Sequence, residues 1–316
     1  MRSRRGQRAL EQLGGVTVGG VFLANPFMTA SGTAGHDIEL ASYMPLHRLG
    51  ATVAKSLFHE AWPGNPPPRV HTARSGMLNA VGLQGPGVDA WVGESLPRCE
   101  AAGVTVVASV WGRSVDEYVR AAEKLALAGS RIAAVEVNLS CPNLEGRSGI
   151  IAHDADLSGR IINSVAAAVS VPVWAKLSAN TDRIIDVARA VHVNGAVALT
   201  LVNTMLGLHI DVASGRASLG NGGGGLSGAA IHPIAVRAVH DVHAALPGVD
   251  IVGVGGITNG ADAVEMMMAG ATAVQIGTAS FADPGATWKI ACEAARLAVG
   301  RSVSSWGEIT GLAHRV

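Results

Sequence analysis

The sequence predicts an α/β protein folded as a (β/α)₈ TIM barrel, and three observations carry that prediction. Short β-branched runs alternate with stretches of helical periodicity, eight runs in all. The runs are apolar almost end to end, as parallel strands buried on both faces must be. No Gly-rich dinucleotide turn stands near the start, as an open doubly wound sheet would carry. The 316 residues suit one barrel of about 250 residues plus insertions.

In order, the candidate strands are Pro26 to Ala30, Thr52 to Ala54, Val104 to Val110, Ala133 to Leu139, Val171 to Leu177, Val197 to Val202, Ile251 to Val254 and Ala273 to Ile276. Helical patterns occupy Ile38 to Leu49, Val115 to Leu127, Leu157 to Val169, Ile184 to Val191, Pro233 to Leu246 and Ala261 to Met268. Val16 to Leu23, with Gly19-Gly20 at its centre, reads as an N-terminal β-hairpin capping the barrel bottom. Phe58 to Gly87 is too long for an ordinary βα loop and reads as an extended, functional loop over the C-terminal face. Residues 1–316 are expected to be one domain, with 1–14 a flexible basic tail. Arg2, Arg4, Arg5 and Arg8 precede Ala9-Leu10-Glu11-Gln12-Leu13, which is too polar for a signal-peptide core.

Composition excludes several classes. Hydrophobic residues at 48% against 15% charged fill a large core, and 4% aromatics with 40 glycines suit aliphatic strands joined by tight turns. Lys+Arg and Asp+Glu are both 24, which leaves no electrostatic case for nucleic acid or an anionic membrane surface. No window approaches the about 18 consecutive apolar residues of a membrane span. Cys99, Cys141 and Cys292 are too scattered for a disulfide framework, and no Cys-x-x-Cys pair could hold zinc or an iron–sulfur cluster. A reducing, cytoplasmic setting is expected, with no metal bound by the chain.

Active sites of such barrels are built from the C-terminal ends of the strands. Those ends read Ser31-Gly32, Lys55-Ser56, Asn138-Leu139-Ser140-Cys141-Pro142-Asn143, Lys176-Leu177-Ser178, Asn203-Thr204, Gly255-Gly256 and Gly277-Thr278. One such lysine or asparagine alone is most simply an ion-pair partner or a helix cap. Their convergence on one rim favours a site, because polar groups there are costly to desolvate without partners. Gly255-Gly256 and Gly277-Thr278 follow the last two strands, where barrels present backbone N–H groups to phosphate. Gly222 to Gly228 is either a flexible linker or a close-approach loop over a flat ligand. Cys141 differs from Cys99 and Cys292, which sit in helical patterns as small hydrophobes. Polar neighbours flank it on a rim loop, and a thiol with a reference pKa of about 8.5 can act as a base when its thiolate is favoured.

At these residues the chain resembles the dihydroorotate dehydrogenase family, and specifically its soluble, cysteine-using class 1. The likeness runs from about residue 16 to 284. It rests on Ala30-Ser31-Gly32, Lys55-Ser56, Gly64-Asn65-Pro66-Pro67-Pro68-Arg69, Met77-Leu78-Asn79-Ala80-Val81-Gly82-Leu83-Gln84, the Asn138 to Asn143 loop, Lys176-Leu177-Ser178, Gly224-Gly225-Leu226-Ser227-Gly228, Gly255-Gly256-Ile257 and Gly277-Thr278-Ala279. The Gly64 to Arg69 and Leu78 to Gln84 stretches look most like the NAD-linked class 1B.

The resemblance implies FMN on the rim, bound by Ala30, Ser31, Lys55, Ser56, Asn138, Lys176 and Gly228, with its phosphate at Gly255, Gly256, Gly277 and Thr278. It implies dihydroorotate held by Lys55, Asn79, Val81, Gly82, Leu83, Asn138, Asn143, Asn203 and Thr204. Cys141 would take the C5 proton while C6 delivers hydride to the flavin, and Lys176 would face the flavin's N1/O2 edge. In the NAD-linked subclass a second subunit carries FAD and a [2Fe–2S] cluster, so a homodimer or heterotetramer is implied. Three places depart from the family's pattern: Gly85 stands where Asn is usual, Ala229 and His232 where Pro and Lys are, and Ala179-Asn180 where a Pro is common. Two alternatives stand beside this reading: a flavin-dependent paralogue acting on another dihydropyrimidine, and a non-redox barrel lyase or isomerase using Lys176 as a Schiff base.

Overall fold

A computed structural model describes residues 2–140 and 150–315. Helix α1 (Arg2–Leu13) leads into the hairpin β1 (Val16–Val18) and β2 (Val21–Leu23). Then follow β3 (Phe27–Thr29), β4 (Ala51–Val53), the pair β5 (Val70–Ala73) and β6 (Gly76–Asn79), α2 (Val88–Ala90), α3 (Leu96–Ala101), β7 (Val106–Val110), α4 (Val115–Ala126) and β8 (Ala134–Asn138). The remainder is α5 (Ala155–Ala168), β9 (Val173–Lys176), α6 (Ile184–Val193), β10 (Ala198–Leu201), β11 (Met205–Gly207), β12 (Ile210–Asp211), β13 (Arg216–Ala217), β14 (Gly224–Ser227), α7 (His232–Ala245), β15 (Asp250–Val254), α8 (Gly260–Met268), β16 (Ala273–Ile276), α9 (Ala279–Ala282) and α10 (Ala286–Gly300).

Eight parallel strands close into a barrel in the order β3-β4-β7-β8-β9-β10-β15-β16, with β16 pairing back onto β3. Each candidate strand of the sequence overlaps one of them. Their residues are almost all fully buried, which is why the sequence carries apolar runs and not an alternating pattern. Helices pack outside the strands through aliphatic faces such as Ala121, Ala122 and Leu125 of α4.

The hairpin closes the barrel's N-terminal end. Gly19 and Gly20 take φ of +53° and +80°, the double positive-φ turn that two-residue hairpins favour. Val18, Val21 and Leu23 then pack against Met28, Val53, Trp174 and Val252 inside the barrel, and the Gly19 N–H donates to Asp250 Oδ2 at 2.8 Å.

Two expectations are corrected. Residues 2–13 are a helix and not a flexible tail: Ala9, Leu10 and Leu13 recur at helical spacing and are buried, while Glu11 pairs with Arg48. Gly6 lets α1 lie against α10, since a Cβ there would fall 2.6 Å from Cys292 Cβ. The stretch 38–49 forms turns and one short 3₁₀ segment, Leu46–Arg48, in place of a helix. Pro45 removes a backbone donor, and Glu39 turns its carboxylate back to the N–H groups of His36 and Asp37.

The extended loop is itself partly sheet. β5 and β6 pair with each other, β6 pairs with β14, and β14 with β11, giving a four-stranded antiparallel sheet. The glycine stretch 222–228 is therefore not a linker, since its residues Gly224–Ser227 are a strand of that sheet. Small residues are required where it crosses its neighbours: a Cβ on Gly225 would lie 2.1 Å from Thr204 Oγ1, and one on Gly228 2.6 Å from Gly76 Cα. No helix among the described residues is long and apolar enough to cross a membrane.

Candidate active site

The C-terminal strand ends and the four-stranded sheet enclose a cavity of about 1470 Å³. That exceeds the roughly 300–1,000 Å³ of a pocket for one small ligand, which leaves room for more than one bound group. Ala30, Ser31, Lys55, Ser56, Asn79, Val81, Gly82, Leu83, Asn138, Lys176, Asn203, Thr204, Gly228, Gly255, Gly256, Gly277 and Thr278 all line it. Cys141 and Asn143 lie outside the described residues.

Barrel register brings the central side chains together. Asn138 of β8 pairs with Lys176 of β9, and Lys176 with Thr200 of β10. The two-residue strand period puts Glu136 on the same face as Asn138. Lys176 is 5% exposed and Glu136 not at all, and Lys176 Nζ lies 3.5 Å from Glu136 Oε1. Glu136 Oε2 accepts from Thr200 Oγ1 at 2.9 Å and from Gln275 Nε2 at 2.6 Å. Gln275 Oε1 in turn accepts from Lys176 Nζ at 3.4 Å. An ammonium carries three donors, and among the described residues this long bond is the one hydrogen bond it makes. So under-satisfied a buried amine, on a cavity wall, is suited to an acceptor carried by a ligand.

Above it runs a polar chain. Ser31 Oγ lies 3.2 Å from Ser56 Oγ, which lies 2.8 Å from Ser109 Oγ. Asn138 Nδ2 donates to Ser56 Oγ at 3.3 Å, and Asn138 Oδ1 accepts from Asn203 Nδ2 at 3.1 Å. The buried Tyr118 hydroxyl donates to the Asn138 carbonyl at 2.6 Å, fixing the end of β8. Asn79 Nδ2 donates to Gly225 O at 3.3 Å across the sheet. Lys55 is half-buried, and burial, then the nearby Arg69, pulls its pKa below the usual lysine value. Burial pushes the Cys99 thiol up to about 12 and the Cys292 thiol up as well, which leaves both inert.

At the turn 81–83 the hydrogen bonds that hold the carbonyls decide where the backbone N–H groups point. The Asn65 N–H donates to Val81 O at 3.1 Å, Asn65 Nδ2 to Ala80 O at 3.1 Å and Trp62 Nε1 to Gly82 O at 3.0 Å. In a trans peptide the N–H points opposite its C=O. Pinning these three carbonyls outward therefore turns the N–H groups of Val81, Gly82 and Leu83 the other way, and these residues line the cavity. None of the three N–H groups donates to a protein acceptor among the described residues. Gly82 at φ +72° and Leu83 at φ +58° hold the turn that carries these three successive donors, a backbone nest of the turn kind. Leu83 is a non-glycine residue in the left-handed region, a strain that collects at functional turns.

Just past the end of β15, Gly255 and Gly256 take φ of +137° and +67°. A Cβ on Gly256 would lie 2.6 Å from His232 Cβ, so only glycine allows this close approach to α7. His232, at one of the departing positions, has Nδ1 2.9 Å from Gly255 O and Nε2 3.2 Å from Glu265 Oε2, and so braces that turn. Asn180, at another, donates to Thr204 O at 2.9 Å and accepts from the Leu206 N–H at 2.8 Å.

Sequence reasoning missed Glu136, Thr200, Gln275, Ser109, Trp62 and Asn180 as parts of the site. For Glu136 and Gln275 a signal existed: each is a polar residue flanked on both sides by apolar ones inside a strand. Trp62 carried none, because its role is set by a bond to a turn 20 residues on.

A closed parallel barrel with a polar cavity at the carboxyl ends of its strands is the architecture of a (β/α)₈-barrel enzyme. A family model described as "Dihydroorotate dehydrogenase" matches residues 15–297, and the chain belongs to the dihydroorotate dehydrogenase family. It is 41% identical over 296 residues to "Dihydroorotate dehydrogenase B (NAD(+)), catalytic subunit" of Geobacter sulfurreducens, covering 94% of this chain and 96% of that one. The protein of the same name from Desulforudis audaxviator is 42% identical over 301 residues, covering 95% and 97%. That of Lachnoclostridium phytofermentans is 41% identical over 275 residues, covering 87% and 91%.

Proposed function

We propose that this chain is the catalytic subunit of an NAD-linked dihydroorotate dehydrogenase, which oxidises (S)-dihydroorotate to orotate in the biosynthesis of pyrimidine nucleotides. The observation that carries the reading is the nest at 81–83 beside the amides of Asn79, Asn138 and Asn203. Three successive N–H groups without a protein acceptor suit a carboxylate, and asparagines offer donor and acceptor edges to a neutral imide ring. Dihydrouracil has no carboxylate to engage the nest, so the carboxylated ring is the better fit.

The cavity and its donors suit FMN. Lys176, as an under-satisfied buried ammonium, would hold the flavin ring together with Lys55, Ser31 and Ser56. Ala30 and Gly228 leave room for its approach, and Gly255, Gly256, Gly277 and Thr278 form a close-approach backbone for the phosphate. When bound, FMN supplies the hydride acceptor for the C6–H bond. Asn138 and Asn203 lock each other's amides and orient the ring, with Asn79, Asn143 and Thr204 completing its contacts. Lys55 adds a cation to the substrate side. Cys141, as thiolate, takes the C5 proton, and the electron pair of the C5–H bond forms the C5=C6 double bond as the C6 hydride leaves.

Reoxidation falls to a partner subunit bearing FAD and a [2Fe–2S] cluster, in keeping with the relatives' names, which specify NAD(+) and a catalytic subunit. Cys141→Ala tests the base. FMN content should stay at the wild-type level while reduction by dihydroorotate slows by at least roughly 10²-fold, the usual share of acid–base catalysis. Unchanged reduction kinetics would refute the assignment.

A further inference from the structure

The nest at 81–83 is shaped by Asn65, which lines the cavity, and by Trp62, which does not and has its own support. Trp62 clamps the turn at two points. Its backbone pairs with Gly85 in both directions, at 2.9 and 3.0 Å, and its indole N–H donates to Gly82 O at 3.0 Å. The second bond fixes the peptide whose other end is the Leu83 N–H. The Trp62 ring stands edge-on to Phe58 and Trp111, with centroids 5.4 and 5.5 Å away.

Arg113 completes the arrangement from a different strand end. Its guanidinium lies 4.8 Å from the Trp62 ring centroid and 5.4 Å from that of Phe58, within cation–π range. Glu117 in the first turn of α4 holds it there, accepting from Arg113 Nε at 3.1 Å and from the Arg113 backbone N–H at 2.7 Å. Ser114 caps the same helix by accepting from the Glu117 N–H at 3.3 Å. The orientation of one backbone donor in the cavity is thereby tied to the N-terminus of α4 through an indole ring.

We infer that Trp62, braced by Arg113, is a positioning residue that sets carboxylate recognition at the 81–83 turn. This rests on the proposed function, in which the nest receives the substrate's carboxylate. Trp62→Phe keeps the ring and deletes the indole donor, leaving Gly82 O unpinned and the Leu83 N–H free to turn from its ligand. Arg113→Met removes the cation and keeps most of the side chain's bulk, so it loosens the ring without touching the turn.

The test is steady-state and single-turnover kinetics of the flavin-loaded protein with dihydroorotate, together with calorimetric titration of orotate. In Trp62→Phe, KM and the orotate Kd should rise roughly three- to tenfold, the equivalent of one hydrogen bond. Flavin content and the limiting rate of reduction should stay within about twofold. Arg113→Met should shift the same two constants in the same direction by less. The double variant should be no worse than Trp62→Phe alone, because both changes act through one ring. Wild-type affinity in Trp62→Phe, or equal loss of the limiting rate and of affinity, would overturn the inference. Strictly additive effects of the two changes would remove Arg113 from it. A wild-type protein that binds FMN but neither binds orotate nor is reduced by dihydroorotate would overturn the functional reading, and the inference with it.

Discussion

Breaking the ion pair beneath the cavity should destabilise the barrel more than any surface change. Lys176 and Glu136 are buried side by side on adjacent strands, 3.5 Å apart. At that distance two unit charges attract by about 5 kcal/mol at an effective dielectric of about 20. Desolvation offsets part of this, and no direct hydrogen bond joins them, so the pair's net worth is small. Removing one partner is different, because it strands the other charge in the core at a cost of about 3–5 kcal/mol. Glu136→Leu leaves the Lys176 ammonium with Gln275 Oε1 alone, and Lys176→Met leaves the Glu136 carboxylate with Thr200 and Gln275. Each single variant should lose about 3 kcal/mol in urea unfolding of the flavin-free protein. The double variant should lose well under the sum, since an apolar pair of similar volume replaces both charges. Two single losses below about 1 kcal/mol, or strict additivity, would refute the claim that these groups meet as opposed charges.

Other substitutions test other parts of the fold and site. Leu23→Ala empties the fully buried seat of the hairpin and should cost about 2–5 kcal/mol in the same unfolding assay. Gly256→Ala puts a Cβ 2.6 Å from His232 Cβ on a φ of +67°. FMN retained through gel filtration should fall sharply while far-ultraviolet circular dichroism stays native. Lys55 has a pKa below its unfolded value of 10.5, so between the two values the unfolded chain binds more protons and stability rises with pH. The cost of burying its charge is present below the folded pKa and vanishes as pH climbs through it toward 10.5. Urea titrations at successive alkaline pH values should show this rise in the flavin-free protein and its loss in Lys55→Met.

The barrel was legible because its strands are buried on both faces and so read as apolar runs that nothing else in the chain imitates. The rim was legible because Lys55, Asn138, Lys176 and Asn203 each stand at the carboxyl end of such a run or just past it. What stayed hidden depended on partners distant in sequence. The pairing of β6 with β14 joins residues 146 apart, as the Asn79 to Gly225 bond shows, and no local pattern announces it. Helix α1 was masked by its arginines, although Ala9, Leu10 and Leu13 already formed its buried stripe. The absent helix at 38–49 was a contest between periodicity and side chains that capture their own backbone, and Glu39 with Pro45 decided it. The partners of Glu136 were invisible, because only the closed barrel brings Thr200 and Gln275 to the same carboxylate.

The most direct test of the functional claim is an anaerobic single turnover of the purified, FMN-loaded chain. Mixing with excess (S)-dihydroorotate should bleach the flavin absorbance and release one orotate per flavin, without any partner subunit and without NAD⁺. A flavin that stays oxidised, with no orotate formed, would contradict it.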